Sequence, residues 1–196
     1  MLIDYPNDVW DVSLSFKRIG DGFDASLGFM PREGARLFRA GINYQPRPHR
    51  WGIRQMFFEQ GYFLATDLAG SWRSYEVFLA PVNWRFESGD RIEANIIPLG
   101  ERLTEPFEVA NGVTIQPGAY DFLRGRLEVE FAARRKIAGQ LTWQFGGFYQ
   151  GHLHQLELEG DWKASSTLIL QLNGEHDIGR LPAGNFETSS LVCAPS

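Results

Sequence analysis

The chain has 196 residues with a net charge of -5, and its 43% hydrophobic and 22% charged residues predict one folded domain rather than disorder. The acidic balance excludes a nucleic-acid partner, which needs a clustered basic surface; the longest basic run, Arg134-Arg135-Lys136, falls at a predicted turn. A single cysteine, Cys193, excludes a disulfide framework and a cysteine metal cluster. An aromatic content of 14% and 21 glycines favour a β-rich fold with many turns.

Nine strands are predicted in chain order, each bounded by turn residues. They cover residues 9–18, 36–46, 51–60, 71–86, 91–99, 119–132, 137–147, 152–163 and 167–177. Tight turns are predicted around 47–49, 88–90, 134–136 and 164–166, and wider loops around 20–34, 61–70, 100–119 and 178–187. Short and long connections therefore alternate, as they do in outer-membrane β-barrels, where the short turns lie on the periplasmic side.

The clearest strands alternate apolar and polar residues along their length. In the sixth strand Leu127 and Val129 share one face, and the charged residues between them share the other. A membrane barrel would turn such an apolar face to lipid and the polar face to its lumen. The predicted lumen-facing residues are Arg124, Arg126, Glu128, Glu130, Gln155, Glu157, Glu159 and Asp161.

Aromatic residues collect near the predicted strand ends. Beside the short turns lie Tyr44, Trp51, Trp84, Phe86, Phe131 and Trp162. A second set is predicted nearer the long loops: Phe57, Tyr62, Trp72, Tyr75, Tyr120, Phe145 and Tyr149. Two such girdles are typical of a membrane barrel, because amphipathic rings are most stable at the bilayer interface. Aromatic packing inside a soluble β-sandwich is the alternative interpretation.

Strand length points the same way. The predicted strands have roughly 10–15 residues, whereas strands of ordinary sheets have ~5–6 and a tilted strand needs ~9–11 to cross a bilayer. No apolar run approaches the ~20 residues of a transmembrane helix. The predicted fold is therefore all-β: an up-and-down antiparallel β-barrel of outer-membrane type, with about nine to ten long strands in one domain over residues 1–196. Since the first residues lack a signal-peptide pattern and the last ones begin another strand, we expect an incomplete barrel, a fragment of something longer.

No cluster of residues predicts catalysis or a cofactor. His152 and His154 share one face of a strand, but a zinc site needs three or four ligands and no third is evident. Paired carboxylates could serve a glycosidase, yet here they interleave with Arg124 and Arg126, which favours salt-bridged ladders. The six tryptophans could stack on sugars, but their positions favour an interface belt. Phosphate-binding loops and nucleotide fingerprints do not occur in the sequence.

Seven loop and turn segments resemble one family of large bacterial proteins. They are NDVWDVSLS at 7–15, LGFMPR at 27–32, NYQPRP at 43–48, ESGDR at 87–91, ERLTEPFE at 101–108, QPGAY at 116–120 and RLPAGNF at 180–186. These segments are similar to the C-terminal membrane-barrel domain of unknown function in proteins that carry an N-terminal carbohydrate-binding module of the family 9 type. The resemblance extends to about residue 188 and implies the bacterial outer membrane as location. Because family members are several times longer, it also implies that this chain is a truncated part of that barrel.

We therefore expect part of an outer-membrane β-barrel that serves carbohydrate binding, uptake or display at the cell surface, without catalytic activity of its own. Its expected partners are outer-membrane lipid and, through the absent module, glycans. The alternative is a soluble β-sandwich that binds carbohydrate or resembles a glycoside hydrolase. Detergent dependence distinguishes the two, because a barrel that exposes Leu156 and Leu158 aggregates in water. We also expect that the isolated fragment does not insert stably, since open sheet edges leave backbone groups unpaired in lipid.

Overall fold

The computed structural model describes residues 1–20, 34–165 and 168–195. These residues form fourteen β-strands. No helix long and apolar enough to span a membrane occurs among them. The strands are β1 (Leu2–Pro6), β2 (Trp10–Ile19), β3 (Ala35–Tyr44), β4 (Ile53–Met56), β5 (Phe58–Asp67), β6 (Trp72–Phe86), β7 (Arg91–Leu103), β8 (Phe107–Ala110), β9 (Val113–Ile115), β10 (Gly118–Phe131), β11 (Ile137–Phe148), β12 (Gly151–Lys163), β13 (Ile169–Leu181) and β14 (Gly184–Pro195).

Twelve of the strands form one antiparallel sheet of up-and-down topology. Its path runs β1-β2-β3-β5-β6-β7-β10-β11-β12-β13-β14, with β4 paired to β6 beside the path. The remaining two strands, β8 and β9, form a separate hairpin. The predicted all-β, up-and-down antiparallel class is confirmed. The sheet is not closed within the described residues, since β1 and β14 each have a partner on one side only, as expected for an incomplete barrel.

All nine predicted strands overlap observed ones, but two predicted loops are wrong. The 61–70 segment lies mostly in β5, because the alternation through Tyr62 and Leu64 continues to Asp67. The chain turns only at Gly70, which has a φ of 97°. The 178–187 segment consists of the ends of β13 and β14 around a tight turn at Pro182 and Ala183. The wide loop at 100–119 is observed between β7 and β10, where it contains the β8–β9 hairpin. The predicted loop at 20–34 lies outside the described residues except for its two ends.

The two connection ends of the sheet can be named from these turns. The turn end carries the connections 87–90 between β6 and β7, 132–136 between β10 and β11, and 164–168 between β12 and β13. The hairpin end carries the β8–β9 hairpin and the tight turns between β11 and β12 and between β13 and β14. At the hairpin end Val113 and Ile115 of the hairpin are buried against Tyr120 and Leu181.

A one-residue bulge in β6 keeps the polar side chains of β6 and β7 on the same face of the sheet. The register of β6 against β7 shifts between the pairs Leu79–Ile96 and Val82–Ala94, beside Pro81. Proline has no backbone N–H to give to the ladder, so a break in pairing at this point loses little. The extra residue places Asn83 on the same face as Glu93, its cross-strand partner.

The register extends the alternation of single strands across the sheet. Leu127 pairs with Trp143 and Trp143 with Leu156; Glu128 likewise pairs with Thr142 and Thr142 with Glu157. We call the two sides the apolar face and the polar face. The apolar face includes Val12, Leu14, Ile42, Leu64, Ile92, Leu127, Val129, Leu141, Trp143, Leu156, Leu158 and Leu172. The polar face includes Asn83, Arg91, Glu93, Asn95, Arg124, Arg126, Glu128, Thr142, Gln155, Glu157, Glu159, Glu175 and Asp177.

Exposure on these two faces is inverted. Leu127 is 43% exposed and Leu141 is 41% exposed, whereas Glu128 is 3% exposed and Thr142 is 2% exposed. The polar face is therefore the shielded side of the sheet around β7, β10 and β11. Leu37 and Ala65 belong to one of two small clusters of buried apolar residues, and the hairpin end holds the other.

A pair of opposed glycines tests this backbone directly. Gly139 has a φ of 142°, and a Cβ atom there would lie 2.1 Å from the carbonyl oxygen of Glu159, so we expect Gly139→Ala to destabilise the fold by ~1–3 kcal/mol. Gly160 lies directly opposite, and a Cβ atom there would meet nothing closer than 3.9 Å. Gly160→Ala is the matched control, with an expected effect within about 0.5 kcal/mol. Urea unfolding of both variants in detergent micelles measures the difference; equal midpoints would contradict this strand geometry.

Candidate functional site: the polar face

The eight predicted lumen-facing residues all lie on the polar face, four on β10 and four on β12. The structure brings Arg126, Glu128 and Glu130 of β10 into contact with charged side chains of β7. Arg124 contacts Gln155 of β12 instead. The β12 carboxylates Glu157 and Glu159 stay exposed, and Asp161 is half-buried. The predicted set therefore divides into a buried network around β10 and an exposed acidic row on β12.

The buried network joins two arginines and two glutamates across β7 and β10. Arg91 Nη1 lies 3.2 Å from Glu128 Oε1, and Arg126 Nη1 lies 3.5 Å from Glu93 Oε1. Each arginine also pairs with a glutamate of its own strand, Arg91 with Glu93 and Arg126 with Glu128. Glu93 and Glu128 are only 5% and 3% exposed, so both carboxylates depend on these arginines for compensation.

Neutral side chains complete the hydrogen bonding of this network. Arg91 Nε donates to Asn83 Oδ1 at 3.1 Å, and Asn95 Nδ2 donates to Glu93 Oε1 at 2.9 Å. From β11, Gln140 Nε2 donates to Glu128 Oε2 at 3.0 Å. Among the buried groups two positive and two negative charges cancel, so the network holds β6, β7, β10 and β11 together. The half-exposed Glu130 adds one more carboxylate at its edge, with Oε2 4.0 Å from Arg91 Nη1.

A second polar chain lies nearer the hairpin end. Arg124 Nη2 donates to Gln155 Oε1 at 2.7 Å, and Gln155 Nε2 donates to Asp177 Oδ2 at 3.4 Å. These hydrogen bonds connect β10 to β13, so the Gln155 amide links the positive charge of Arg124 to the negative charge of Asp177. The salt-bridged ladder expected from the sequence exists on β7 and β10, whereas on β12 the contact to Arg124 is made by Gln155 rather than by a carboxylate.

The exposed acidic row occupies β12 and β13. Glu157 lies directly opposite Glu175, and Glu159 lies opposite Asn173. Like charges in opposite positions of antiparallel strands destabilise each other slightly. Since Glu157, Glu159 and Glu175 have no ion-pair partner in the described part of the chain, this part of the polar face carries net negative charge.

The six aromatic residues predicted beside the short turns all lie at the turn end. Tyr44, Trp84, Phe86, Phe131 and Trp162 stand at the ends of strands, and Trp51 lies in the connection before β4, where it is 83% exposed. In the second set, Trp72, Tyr75, Phe145 and Tyr149 lie toward the hairpin end and Tyr62 lies in the middle of β5.

Besides Tyr62, two other members of the second set are placed differently from the prediction. Phe57 immediately precedes β5, whose first residue, Phe58, pairs with Tyr44, so Phe57 belongs to the turn end. Tyr120 lies at the hairpin end, but on the polar face in a buried apolar cluster. There its hydroxyl donates to the carbonyl of Gln116 at 2.6 Å. It is therefore a packing residue under the hairpin rather than an exposed ring of a girdle.

The turn end is held together by Asp90. Its carboxylate accepts hydrogen bonds from the backbone N–H of Ala132 at 2.9 Å and from Arg135 Nε at 2.8 Å, and it accepts another from the Ser88 hydroxyl at 2.6 Å. The Arg135 guanidinium, with these other donors, holds the pKa of Asp90 well below its usual range. The β6–β7 and β10–β11 turns are thereby joined through one ionised carboxylate.

His152, His154 and Cys193 do not assemble a reactive group with one another. His152 and His154 are both exposed on β12, and the His154 ring stacks on Trp143 with centroids 6.0 Å apart. No group of three or more metal-ligating side chains occurs among the residues described. Cys193 is exposed on β14.

Sequence reasoning missed the β7 half of the buried network. Arg91, Glu93 and Asn95 alternate in the sequence as the β10 residues do, and this alternation was the available signal. Their contacts follow only from the register of β7 against β10, which pairs Glu93 with Glu128 and Asn95 with Arg126. No protein-family model matches the chain, and neither a curated protein nor a solved structure matches it.

Proposed function

We propose that this chain is part of the wall of an outer-membrane β-barrel, with its apolar face against lipid and its polar face toward the lumen. The inverted exposure of the two faces carries this proposal. Large apolar side chains such as Leu127, Leu141 and Leu156 are about two-fifths exposed, while the charged network behind them is shielded. Such an arrangement is favourable when the solvent on the apolar side is hydrocarbon.

Strand length and aromatic placement also support a bilayer setting. β10, β11 and β12 contain 14, 12 and 13 residues, and a tilted strand needs ~9–11 to cross the hydrocarbon core. The rings at the turn end, among them Phe131 and Trp162, stand where the apolar bands of these strands finish. Interfacial aromatics are most stable at that level.

The proposed role is passive passage or display rather than catalysis. A lumen wall whose buried charges cancel, beside an acidic row at Glu157 and Glu175, offers solutes polar contacts of mixed sign without a strong ion preference. The β8–β9 hairpin covers the polar face at one end and would narrow the path there. Carbohydrate as the solute or surface ligand rests on the family resemblance described above.

Spin labels along one strand test the proposal. In a Cys193→Ser background, single cysteines replace Leu156, Glu157, Leu158 and Glu159, four consecutive exposed positions of β12, so that each polar position is the matched control of its apolar neighbour. In detergent micelles we expect labels at 156 and 158 to collide with oxygen and labels at 157 and 159 to collide with a water-soluble nickel chelate. Period-two accessibility of this kind is the signature of a strand between lipid and water.

The soluble alternative gives a different pattern. All four side chains face solvent in the absence of a bilayer, so in a soluble domain all four labels would collide with the nickel chelate. That result, together with a monodisperse protein in detergent-free buffer, would overturn the proposed membrane role.

A further inference from the structure

A histidine, a serine and a glutamate lie together on the apolar face of β13 and β14. His176 is directly opposite Ser189, and Glu187 is two residues from Ser189 on the same face. His176 belongs to the apolar face because its partner on β12 is Leu156. The Ser189 hydroxyl oxygen is 2.7 Å from His176 Nδ1, and Glu187 Oε1 is 3.9 Å from His176 Nε2. We call these three residues the outward triad.

The groups of the outward triad are arranged as an activated nucleophile requires. When the neutral imidazole carries its proton on Nε2, the lone pair of Nδ1 faces the Ser189 hydroxyl and can accept its proton. Glu187 lies beyond hydrogen-bonding distance, but its negative charge favours the proton on Nε2 and stabilises the imidazolium that forms. The side chains of His176 and Glu187 are 40% and 68% exposed, and Ser189 is exposed as well, so a substrate has access.

The outward triad lies where the apolar face changes character along β13 and β14. On its turn-end side the two strands present Leu172 and Leu191. On its hairpin-end side they present Arg180 and Asn185, with Ile178 between His176 and Arg180. Such a boundary matches the structure of a membrane lipid, whose ester groups join hydrocarbon chains to a polar head at the bilayer interface.

We propose that the outward triad hydrolyses a fatty-acid ester of a membrane lipid, with the acyl chain along Leu172 and Leu191. Ser189 Oγ attacks the ester carbonyl carbon while its proton passes to His176 Nδ1. The bond between that carbon and the lipid alcohol oxygen then breaks, and the proton moves to the departing alkoxide, which leaves an acyl group on Ser189. Water attacks this acyl group in turn; one water proton passes through His176 to Ser189 Oγ, and the fatty acid is released.

This activity is additional to the passive role proposed for the lumen wall, because the outward triad lies on the opposite face of the sheet. It rests on the proposed membrane role, since a lipid ester reaches the triad only if the apolar face meets lipid. The alternative is an unreactive cross-strand hydrogen bond between His176 and Ser189. The reactivity of Ser189 distinguishes the two.

Labelling with an alkyl fluorophosphonate tests Ser189 in the full chain in micelles, because an activated serine displaces fluoride from phosphorus. We expect the mass of the intact protein to show an adduct that is absent in Ser189→Ala. Ser190→Ala is the matched control and should keep the adduct, since Ser190 is also exposed but lies on the polar face opposite Glu175. His176→Gln should slow labelling by ~10²–10⁴-fold, the contribution typical of a general base.

Cleavage of p-nitrophenyl esters tests turnover and the class of substrate. We expect a higher kcat/KM for the palmitate ester in micelles than for the water-soluble acetate ester, because only the long chain reaches Leu172 and Leu191. Glu187→Gln should lower kcat and leave KM unchanged, as a residue that acts through His176 requires. Equal labelling of Ser189→Ala and Ser190→Ala, no cleavage of the palmitate ester, or a preference for acetate would overturn the proposal.

The spin-label pattern on β12 separates failure of this inference from failure of the membrane role. Period-two accessibility without labelling of Ser189 would refute the outward triad alone. Nickel access at all four labelled positions would refute the lipid substrate together with the membrane role.

Discussion

Arg126→Ala is expected to destabilise the fold by ~3–5 kcal/mol, the cost of leaving a buried charge without its partner. Arg126 faces both glutamates of the buried network, Glu93 at 3.5 Å and Glu128 in closer contact. Both carboxylates are almost completely shielded, so water cannot replace the lost guanidinium. Urea unfolding in micelles, followed by tryptophan fluorescence, measures the change in the free energy of unfolding.

Glu157→Gln is the control for that experiment. Glu157 lies on the same polar face but is exposed and opposite Glu175, so removing its charge should leave stability unchanged or raise it slightly. Arg91→Ala should resemble Arg126→Ala, and the double variant should cost less than the sum because the two arginines share the same carboxylates. If Arg126→Ala were no worse than Glu157→Gln, the two glutamates would have to be solvated rather than paired.

The second large effect concerns charge on the apolar face. Leu141→Arg is expected to destabilise the protein in a bilayer by ~2–4 kcal/mol, because residue 141 lies near the middle of β11 and would carry its guanidinium into hydrocarbon. Ile137→Arg, at the turn end of the same strand and on the same face, should cost only ~0–1 kcal/mol, since it lies near the interface. Unfolding in lipid vesicles by urea gives both values.

This comparison works because both side chains are exposed, Leu141 at 41% and Ile137 at 66%. In a water-soluble domain an exposed leucine replaced by arginine changes stability little, whatever its position along the strand. A depth-dependent penalty therefore requires lipid. Equal, small effects at the two positions would refute the membrane role and leave the buried network intact as a feature of a soluble sheet.

Features of the fold that depend on residues close together in the sequence were predictable, and features that depend on pairing between distant strands were not. The faces of β10 and β12 followed from period-two alternation, which is local, and the structure places Glu128 and Leu127 as that pattern predicts. For β14 the sequence predicts only the end, as the beginning of another strand in the last residues, and places the first part in a wide loop over 178–187 because Pro182 and Gly184 are typical of a connection. Phe57 was assigned to the wrong end because β5 begins at Phe58 rather than near residue 51.

The buried network was only half predictable for the same reason. The charges of β10 were evident in the sequence, but their partners on β7 depend on a pairing between strands that the chain pattern alone does not define. A bulge beside Pro81 then decides which face Asn83 joins. The opposition of Gly139 and Gly160 was not predicted either, since it depends on the register between two strands.

The odd number of strands along the sheet restricts which additional strands could close it into a ring. Its path contains eleven strands, the twelve of the sheet less β4, and neighbours are antiparallel, so β1 and β14 both run from the hairpin end to the turn end. If β1 and β14 paired with each other directly, they would be parallel neighbours in an otherwise antiparallel ring. A second copy with its turn end on the same side of the membrane has edge strands that run in the same direction as those of the first copy. Pairing the edges of the two copies would again place parallel strands side by side. An all-antiparallel ring therefore needs an odd number of additional strands, the first of which runs from the turn end to the hairpin end beside β14.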